Sequence, residues 1–188
     1  MYGNFADARN RGLELSANTD KSKEFSFELG YAYLDAEYRR YDEYNLVVFD
    51  ATVPPRGSDV IAGTYDLSGN TVPRTSKHTV NVEGNYRVTP NWMLTADFMY
   101  RSSQYADELN MIELGGYSVT NFRTKYNTNL YGFDTEFYGK IENAFDKQYY
   151  MMPRATGDRN DDGEYNIGDM GLTVNPGRIY LMGLSAKF

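Results

Sequence analysis

The sequence contains no cysteine and only one histidine, His78. The absence of cysteine excludes disulfide bonds, thiolate zinc sites and cysteine nucleophiles. No second histidine is available as a general base, and no nucleophile stands in a recognisable setting beside His78. A glycine-rich phosphate loop is missing as well. We therefore expect a protein without catalytic residues that is not an enzyme, and we interpret His78, at the start of a predicted strand, as structural.

Positive charge and long apolar runs are also scarce. The chain has 19 basic against 26 acidic residues, a net charge of -7 and a sequence pI of about 4.8, so we expect no nucleic-acid partner. No apolar run approaches the ~20 residues of a membrane-spanning helix. Aromatic residues, by contrast, are abundant, with eighteen tyrosines and ten phenylalanines. A polar chain of this kind fits a soluble β-rich domain or a transmembrane β-barrel with aromatic girdles.

Apolar and polar residues alternate with a period of two in seven segments, which predicts seven half-buried strands. In YGFDTEFYGKIEN, for example, Tyr131, Phe133, Phe137 and Ile141 face one way, and Asp134, Glu136, Lys140 and Glu142 face the other. The faces of GYSVTNFRTKY stay open. The charged residues predicted to share the polar face are Glu28, Glu83, Arg87, Asp97, Arg101, Asp134, Glu136, Lys140 and Glu142.

Tight and long connections alternate strictly between the predicted strands. The tight ones are Thr19–Ser22, Thr89–Asn91 and Asn127–Asn129, and the long ones are roughly 39–75, 104–114 and 146–176. In an antiparallel sheet this order places all tight turns at one end and all long loops at the other, as in outer-membrane barrels. A soluble sandwich is the alternative, although its strands are usually shorter and its loops are not sorted by length.

Four ordered motifs resemble the TonB-dependent outer-membrane receptors. NAFDKQYY (Asn143–Tyr150) is similar to the signature of the penultimate strand of that family, with Ala144 where leucine is commoner. PGRIYLMGLSAKF (Pro176–Phe188) is similar to the terminal signature, which ends on phenylalanine. Upstream, RNRGLELSAN leads into LGYAYLDAEY as in a strand pair of the family, and GNTVPRTSKHTVNVEGNYRV resembles its re-entry into the barrel.

The resemblance implies an all-β, antiparallel transmembrane barrel of about 22 strands in the outer membrane of a Gram-negative bacterium. Its function would be import of a scarce ligand, most often a ferric siderophore, with energy from TonB. This chain would supply about seven C-terminal strands in contact with outer-membrane lipid. We expect the N-terminal plug, through which TonB acts, and the earlier strands to be absent from these residues. The long loops would then be extracellular, and the polar-face charges would form the hydrated wall around the plug or line a ligand path.

Arginines and tyrosines of the long loops are the candidate ligand contacts. Arginine suits an anionic ferric chelate, and aromatic rings provide platforms for a ligand. The residues that we select on this basis are Arg39, Arg40, Tyr41, Tyr44, Arg56 and Tyr105.

The segment DRNDDGEYNIGD in the last long loop has the pattern of a calcium-binding loop. Oxygen-bearing side chains occupy the ligand positions of such a loop, and Gly163 stands at the sharp turn. The predicted Ca²⁺ ligands are Asp158, Asn160, Asp162, Glu164, Asn166 and Asp169. A solvated acidic turn is the alternative, since Asp, Asn and Gly are common in surface loops. The second functional hypothesis is accordingly a small barrel or soluble β-domain that acts as a calcium-ordered binding or adhesion module.

Overall fold

A computed structural model describes residues 6–50, 58–155, 168 and 170–187, with side chains described outside 47–50, 58–62 and 152–155. Its main element is an antiparallel seven-stranded sheet, which we call the wall. In spatial order its strands are β1 (Asp7–Asn18), β2 (Phe25–Arg40), β5 (His78–Thr89), β6 (Trp92–Arg101), β9 (Tyr117–Leu130), β10 (Phe133–Glu142) and β13 (Ile179–Lys187). The prediction of seven strands is confirmed. Among the described residues, no helix is long and apolar enough to cross a membrane.

The three long loops are the segments 41–77, 102–116 and 143–178, and each contains a two-stranded hairpin that the sequence did not predict. The first hairpin pairs β3 (Tyr44–Asp50) with β4 (Ser58–Tyr65), the second pairs β7 (Gln104–Tyr105) with β8 (Glu113–Leu114), and the third pairs β11 (Tyr150–Ala155) with β12 (Met170–Val174). These segments were predicted only as long connections. All three leave the wall at the same end, as the alternation of tight and long connections predicts.

One predicted turn is wrong. The segment Asn127–Asn129 was expected to form a tight turn, but β9 continues through it to Leu130. The turn is formed instead by Tyr131 and Gly132, whose φ angles are 54° and 91°. Two consecutive positive φ angles match a type I′ hairpin turn, in which glycine is the favoured second residue. The turn at Thr89–Asn91 is confirmed, because β5 ends at Thr89 and β6 begins at Trp92.

The register places the large apolar side chains of the wall on one face. Leu29 is opposite Val82, and Val82 is opposite Phe98 on the next strand. This apolar face is open over the whole wall, since Phe25 is 63% and Met182 is 89% exposed. A soluble sandwich would cover such residues with a second sheet, whereas a lipid-facing wall leaves them exposed to acyl chains.

His78 lies at the first residue of β5, as predicted. Its Nδ1 is 2.9 Å from the hydroxyl of Tyr31, and its ring lies 5.3 Å from that of Tyr33. This aromatic group lies on the apolar face at the long-loop end. Its contacts support the structural interpretation of His78.

On the opposite face of the wall, six of the nine predicted charges form ion pairs: Glu28, Glu83, Asp97, Glu136, Lys140 and Glu142. Arg123 donates to Asp97 at 2.7 Å and to Glu83 at 2.8 Å, which separates two carboxylates that the register places directly opposite each other. Lys125 pairs with Glu136 at 3.3 Å. The position of Arg123 also resolves the faces of β9, because Phe122 and Tyr126 then belong to the apolar face. Like charges opposite each other destabilise a sheet, so the arginine between them stabilises this part of the wall.

Candidate functional site

The long loops have a hydrophobic core of their own. Ala106, Ile112 and Leu114 of loop 102–116 pack with Met170 of loop 143–178, and all four are buried. Leu172 packs against the same cluster. The second and third long loops are therefore joined by apolar contacts that the alternation in the wall does not reveal.

The buried side chain of Asp107 stabilises the conformation of loop 102–116. Its carboxylate is 1% exposed and accepts the backbone N–H groups of Ile112 at 2.8 Å and Met111 at 3.2 Å. Asn110, which lies between Asp107 and Met111, has a backbone φ of 58°, a left-handed conformation that asparagine tolerates. A buried carboxylate with two N–H donors forms a defined loop rather than a loose one.

Hydrogen bonds connect loop 102–116 to the first long loop. The side-chain oxygen of Asn110 accepts the N–H of Thr71 at 2.7 Å, and its amide nitrogen donates to the carbonyl of Thr71 at 2.8 Å. Asn70 donates to the carbonyl of Glu108 at 3.0 Å. Leu67, three residues before Asn70, is fully buried, and its N–H donates to the carbonyl of Tyr41. The three long loops thus form one connected structure at one end of the wall.

Two of the predicted ligand residues lie together. Tyr41 and Tyr44 are 5.7 Å apart between ring centroids, and Tyr38 continues the series at 5.3 Å from Tyr41. Both contacts are edge-to-face, the geometry that aromatic pairs favour. We call Tyr38, Tyr41 and Tyr44 the tyrosine ladder. It begins at Tyr38, near the end of β2, and ends at Tyr44, the first residue of β3.

A chain of contacts connects the tyrosine ladder to Tyr105. The hydroxyl of Tyr44 hydrogen bonds to Glu108, and Glu108 lies 3.5 Å from the guanidinium of Arg74. The N–H of Arg74 donates to the carbonyl of Tyr105 at 2.8 Å. Burial, together with the nearby Glu108, Tyr41 and Asp107, raises the pKa of Tyr44 to about 12. Tyr44 is therefore a protonated hydroxyl donor at physiological pH.

The remaining predicted contacts are placed differently. Arg39 and Arg40 are the last residues of β2, and both side chains are exposed. Arg56 lies outside the described residues. The structure therefore brings Tyr41, Tyr44 and, through Arg74 and Glu108, Tyr105 into one region, with the two arginines at the rim of the wall.

The predicted calcium ligands also lie outside the described residues, so the site remains a prediction. They are Asp158, Asn160, Asp162, Glu164, Asn166 and Asp169. Within the described ranges, no group of three His, Cys, Asp or Glu residues is arranged to hold a metal ion.

The two C-terminal motifs contact each other at the base of the third long loop. Asn143 is buried and exchanges two hydrogen bonds of 2.9 Å with the backbone of Lys147, which shapes the turn that follows β10. The carboxylate of Asp146 accepts the N–H of Arg178 at 2.9 Å. At Gly177, φ is +80°, and a Cβ would lie 3.0 Å from the Asp146 carboxylate, so glycine fits this position.

Sequence reasoning missed Asp107, Glu108 and Arg74. The segment Asp107–Asn110 has turn-forming residues at both ends, which is a usable signal for an Asx-type turn. The pairing of Arg74 with Glu108 joins residues from different loops, and no local pattern in the sequence predicts it.

The family model "TonB dependent receptor-like, beta-barrel" matches residues 1–144. Among solved structures, the chain is similar to the ferric citrate transporter FecA in its unliganded form, with 22% identity, a TM-score of 0.68 and coverage of 97% of this chain. It is also similar to BauA, the ferric preacinetobactin receptor of Acinetobacter baumannii (19%, 0.69, 97%), and to FyuA, the ferric yersiniabactin uptake receptor of Yersinia pestis (16%, 0.70, 98%).

This chain covers only 25%, 22% and 24%, respectively, of those three proteins. At these identities the likeness shows the fold alone. The family match extends across six of the seven wall strands. On this evidence the chain belongs to the TonB-dependent receptor β-barrel family, and its seven-stranded wall is an outer-membrane element of a Gram-negative bacterium.

Proposed function

We propose that this chain is part of an outer-membrane receptor that binds a ferric siderophore and imports it with energy from TonB. The observation that carries the proposal is the family match over residues 1–144. The similar solved structures include three proteins named for ferric ligands, which supports an iron chelate as the ligand class. The apolar face of the wall favours this function over a soluble adhesion module.

The three connected long loops are the external ligand surface in this proposal. Their shared core and hydrogen bonds hold the tyrosine ladder in a fixed position, as a binding surface requires. Tyr41, Tyr44 and Tyr105 are the proposed aromatic contacts, and Arg39, Arg40 and Arg56 are the proposed polar contacts. TonB would act through a plug domain, so the wall would position the ligand-binding loops and would not itself supply energy.

The test is uptake of radiolabelled iron chelates by cells that carry or lack the receptor containing this chain. We expect uptake of at least one ferric chelate to be lost with the receptor and also with TonB, while binding at the cell surface survives loss of TonB. A receptor deletion that leaves uptake of every chelate in a broad panel unchanged would contradict the proposal.

A double variant, Tyr41→Ala with Tyr44→Ala, locates the binding surface. We expect its affinity for the chelate to fall about tenfold or more, because the tyrosine ladder loses two aromatic contacts. Tyr131→Ala is the matched control, because Tyr131 is 98% exposed in the turn at the opposite end of the wall. Equal affinity in the double variant and the control would remove these tyrosines from the ligand surface.

We further propose that Asp158, Asn160, Asp162, Glu164, Asn166 and Asp169 bind Ca²⁺. The register of oxygen-bearing residues around Gly163 supports this site. Calorimetric titration of the purified receptor should show binding with a Kd on the order of 10⁻⁴–10⁻³ M, the range of extracellular calcium modules. Asp162→Asn should weaken it about tenfold. Asp161→Asn is the matched control, since position four of such a loop does not ligate the ion; equal loss in both variants would point to non-specific acidic attraction.

A further inference from the structure

Eight of the nine charges predicted for the polar face have a partner within the wall. Six form the ion pairs described above. The guanidinium of Arg87 donates to the carbonyl of Lys21 at 3.2 Å, and the carboxylate of Asp134 accepts the amide of Asn129 at 3.2 Å. The ninth charge, Arg101, is exposed and forms no ion pair or side-chain hydrogen bond within the part of the chain that the structure describes. Its guanidinium is therefore available to a ligand.

Arg101 lies beside a pair of stacked tyrosines. It is the last residue of β6, and the register places it directly opposite Tyr117, the first residue of β9, so that the two side chains share the polar face. The ring of Tyr117 stacks on that of Tyr149, with 4.3 Å between centroids and 9° between planes. Both tyrosines are half-buried, and they line a cavity of about 200 Å³. A guanidinium and an aromatic pair thus meet at the long-loop end of the polar face, next to open space.

The tyrosine pair is held in a fixed position from both sides. The N–H of Tyr149 donates to the side-chain oxygen of Asn175 at 3.1 Å, and the N–H of Asn175, which is buried, donates to the carbonyl of Tyr149 at 3.2 Å. At Gly116, a Cβ would lie 2.9 Å from the carbonyl oxygen of Arg101, so glycine allows the chain before Tyr117 to approach β6 closely. Aromatic rings that are already ordered lose little entropy when a ligand binds.

The local charge at the tyrosine pair is positive. Burial raises the pKa of Tyr149, and of the charged residues that also act on it, Glu142 raises the pKa and Arg101 lowers it. Glu142 is already neutralised by its ion pair with Lys140. Lys147, which lines the same cavity, is exposed and adds a second cation.

The carboxylates nearest to this end of the wall do not offset that charge. Asp97 lies four residues along β6 from the guanidinium, which is about 13 Å in a strand and exceeds the ~8 Å screening length of physiological salt. The carboxylate of Asp146 accepts the N–H of Arg178 at 2.9 Å, so that an acid and a base adjoin there. Glu113 lines the adjoining cavity, where Lys77 balances it.

We infer that Arg101, Tyr117 and Tyr149 form a binding site for an anionic aromatic arm of a ferric chelate, such as a catecholate or phenolate ring. The inference rests on the proposed function and names the ligand chemistry at a second position, on other elements than the tyrosine ladder. The guanidinium binds the anionic oxygens of the arm, and its ring extends the tyrosine stack. A hydroxycarboxylate chelate can use only the guanidinium, and a neutral hydroxamate chelate can use neither group.

The experiment compares three chelates on outer-membrane vesicles that contain the intact receptor: a ferric tricatecholate, a ferric hydroxycarboxylate and a neutral ferric trihydroxamate. In Arg101→Gln, we expect the affinity for both anionic chelates to fall about tenfold, since a charge-assisted contact is lost. The affinity for the trihydroxamate should stay within about twofold. Arg87→Gln is the matched control at the other end of the polar face and should leave all three affinities unchanged.

A second variant separates the ring contact from the charge. Tyr149→Leu removes the aromatic ring and keeps an apolar side chain of similar bulk. We expect the affinity for the tricatecholate to fall roughly fivefold, while that for the hydroxycarboxylate stays within about twofold. Tyr131→Leu is the control, because Tyr131 is 98% exposed in a turn far from this cavity.

The outcomes distinguish this inference from the proposed function. Equal losses for all three chelates in Arg101→Gln, or no loss for any of them, would overturn the inference. Equal losses for the tricatecholate and the hydroxycarboxylate in Tyr149→Leu would also overturn it, because the ring would then act only on the structure of the loop. A receptor that binds another ferric chelate but not the tricatecholate would keep the proposed function and lose the inference. Failure of every ferric chelate in a broad panel to bind would overturn both.

Discussion

The wall and the long loops bury their residues in opposite ways. In the wall, large apolar side chains such as Leu13 at 52% and Leu184 at 58% are exposed, and the ion pairs of Arg123 lie on the other face. In the loops, Leu67 and Ala106 are fully buried, and carboxylates such as Asp42 and Glu113 face outward. The only multi-residue hydrophobic core among the described residues belongs to the loops.

The difference follows from the solvent that each region meets. Acyl chains solvate the apolar face of the wall, so that burial against protein is unnecessary there. The loops lie in water, where a chain needs a buried apolar cluster and satisfied polar groups to hold one conformation. One chain therefore packs its side chains in two different ways. The change occurs where the long loops leave the wall, at the ends of β2, β6 and β10.

The largest effect should come from placing a charge on the apolar face. Phe98 lies in the middle of β6, opposite Val82, and Phe98→Arg should destabilise the wall by roughly 2–4 kcal/mol, since a cation near the bilayer midplane has no aqueous partner. Asn81→Arg is the matched control, because Asn81 lies on the polar face of the neighbouring strand. Denaturant unfolding of the receptor in lipid vesicles measures both. Equal destabilisation would break the distinction between the two faces.

A smaller effect should follow from opening the loop core. Asp107→Ala leaves the N–H groups of Met111 and Ile112 without their acceptor in a buried site, so we expect loop 102–116 to lose about 1–3 kcal/mol of local stability. Faster hydrogen exchange in residues 106–114, with unchanged exchange in β6 and β9, is the expected result. Asp42→Ala, an exposed carboxylate, is the control. Loss of protection in the wall strands as well would show that loops and wall unfold together.

The smallest effect concerns Tyr44. Because its pKa is raised to about 12 in the folded state, above the ~10 of a free tyrosine, the stability it contributes is fully present below pH 10. That contribution is lost as pH rises through about 12, since the unfolded chain releases the proton first. In spectrophotometric titration, the difference between wild type and Tyr44→Phe should have its midpoint near pH 12. A midpoint near 10 would show that the tyrosine ladder does not shield the hydroxyl.

The sequence predicts the wall well because the wall obeys a local rule. Alternation assigns Phe133 and Phe137 to one face and Asp134 and Glu136 to the other without reference to any distant residue. It fails at Asn127–Asn129, where turn-type residues sit inside a strand and the glycine of Tyr131–Gly132 sets the actual turn. Register in a hairpin depends on turn geometry, so residue types alone were a poor guide there.

The loops are harder to predict because their contacts are distant in the chain. Tyr41 and Tyr44 were selected from the sequence and do form an aromatic pair, but their link to Tyr105 passes through Arg74 and Glu108. The hairpin β7–β8 has only two residues in each strand and depends on Asp107 and the shared core with Met170. No periodicity marks such short elements. Arg56 and the calcium ligands remain predictions.

The hydrogen bond between Asp146 and Arg178, which we call the clasp, affects how the length of loop 143–178 can change in evolution. This bond and the two hydrogen bonds between Tyr149 and Asn175 fix both ends of the loop at the wall. The entropy lost on closing the loop therefore changes only slowly with the length of chain between these ends. Doubling that length costs about 0.6 kcal/mol. We therefore expect insertions, deletions and peptide tags placed between β11 and β12 to leave β10 and β13 undisturbed.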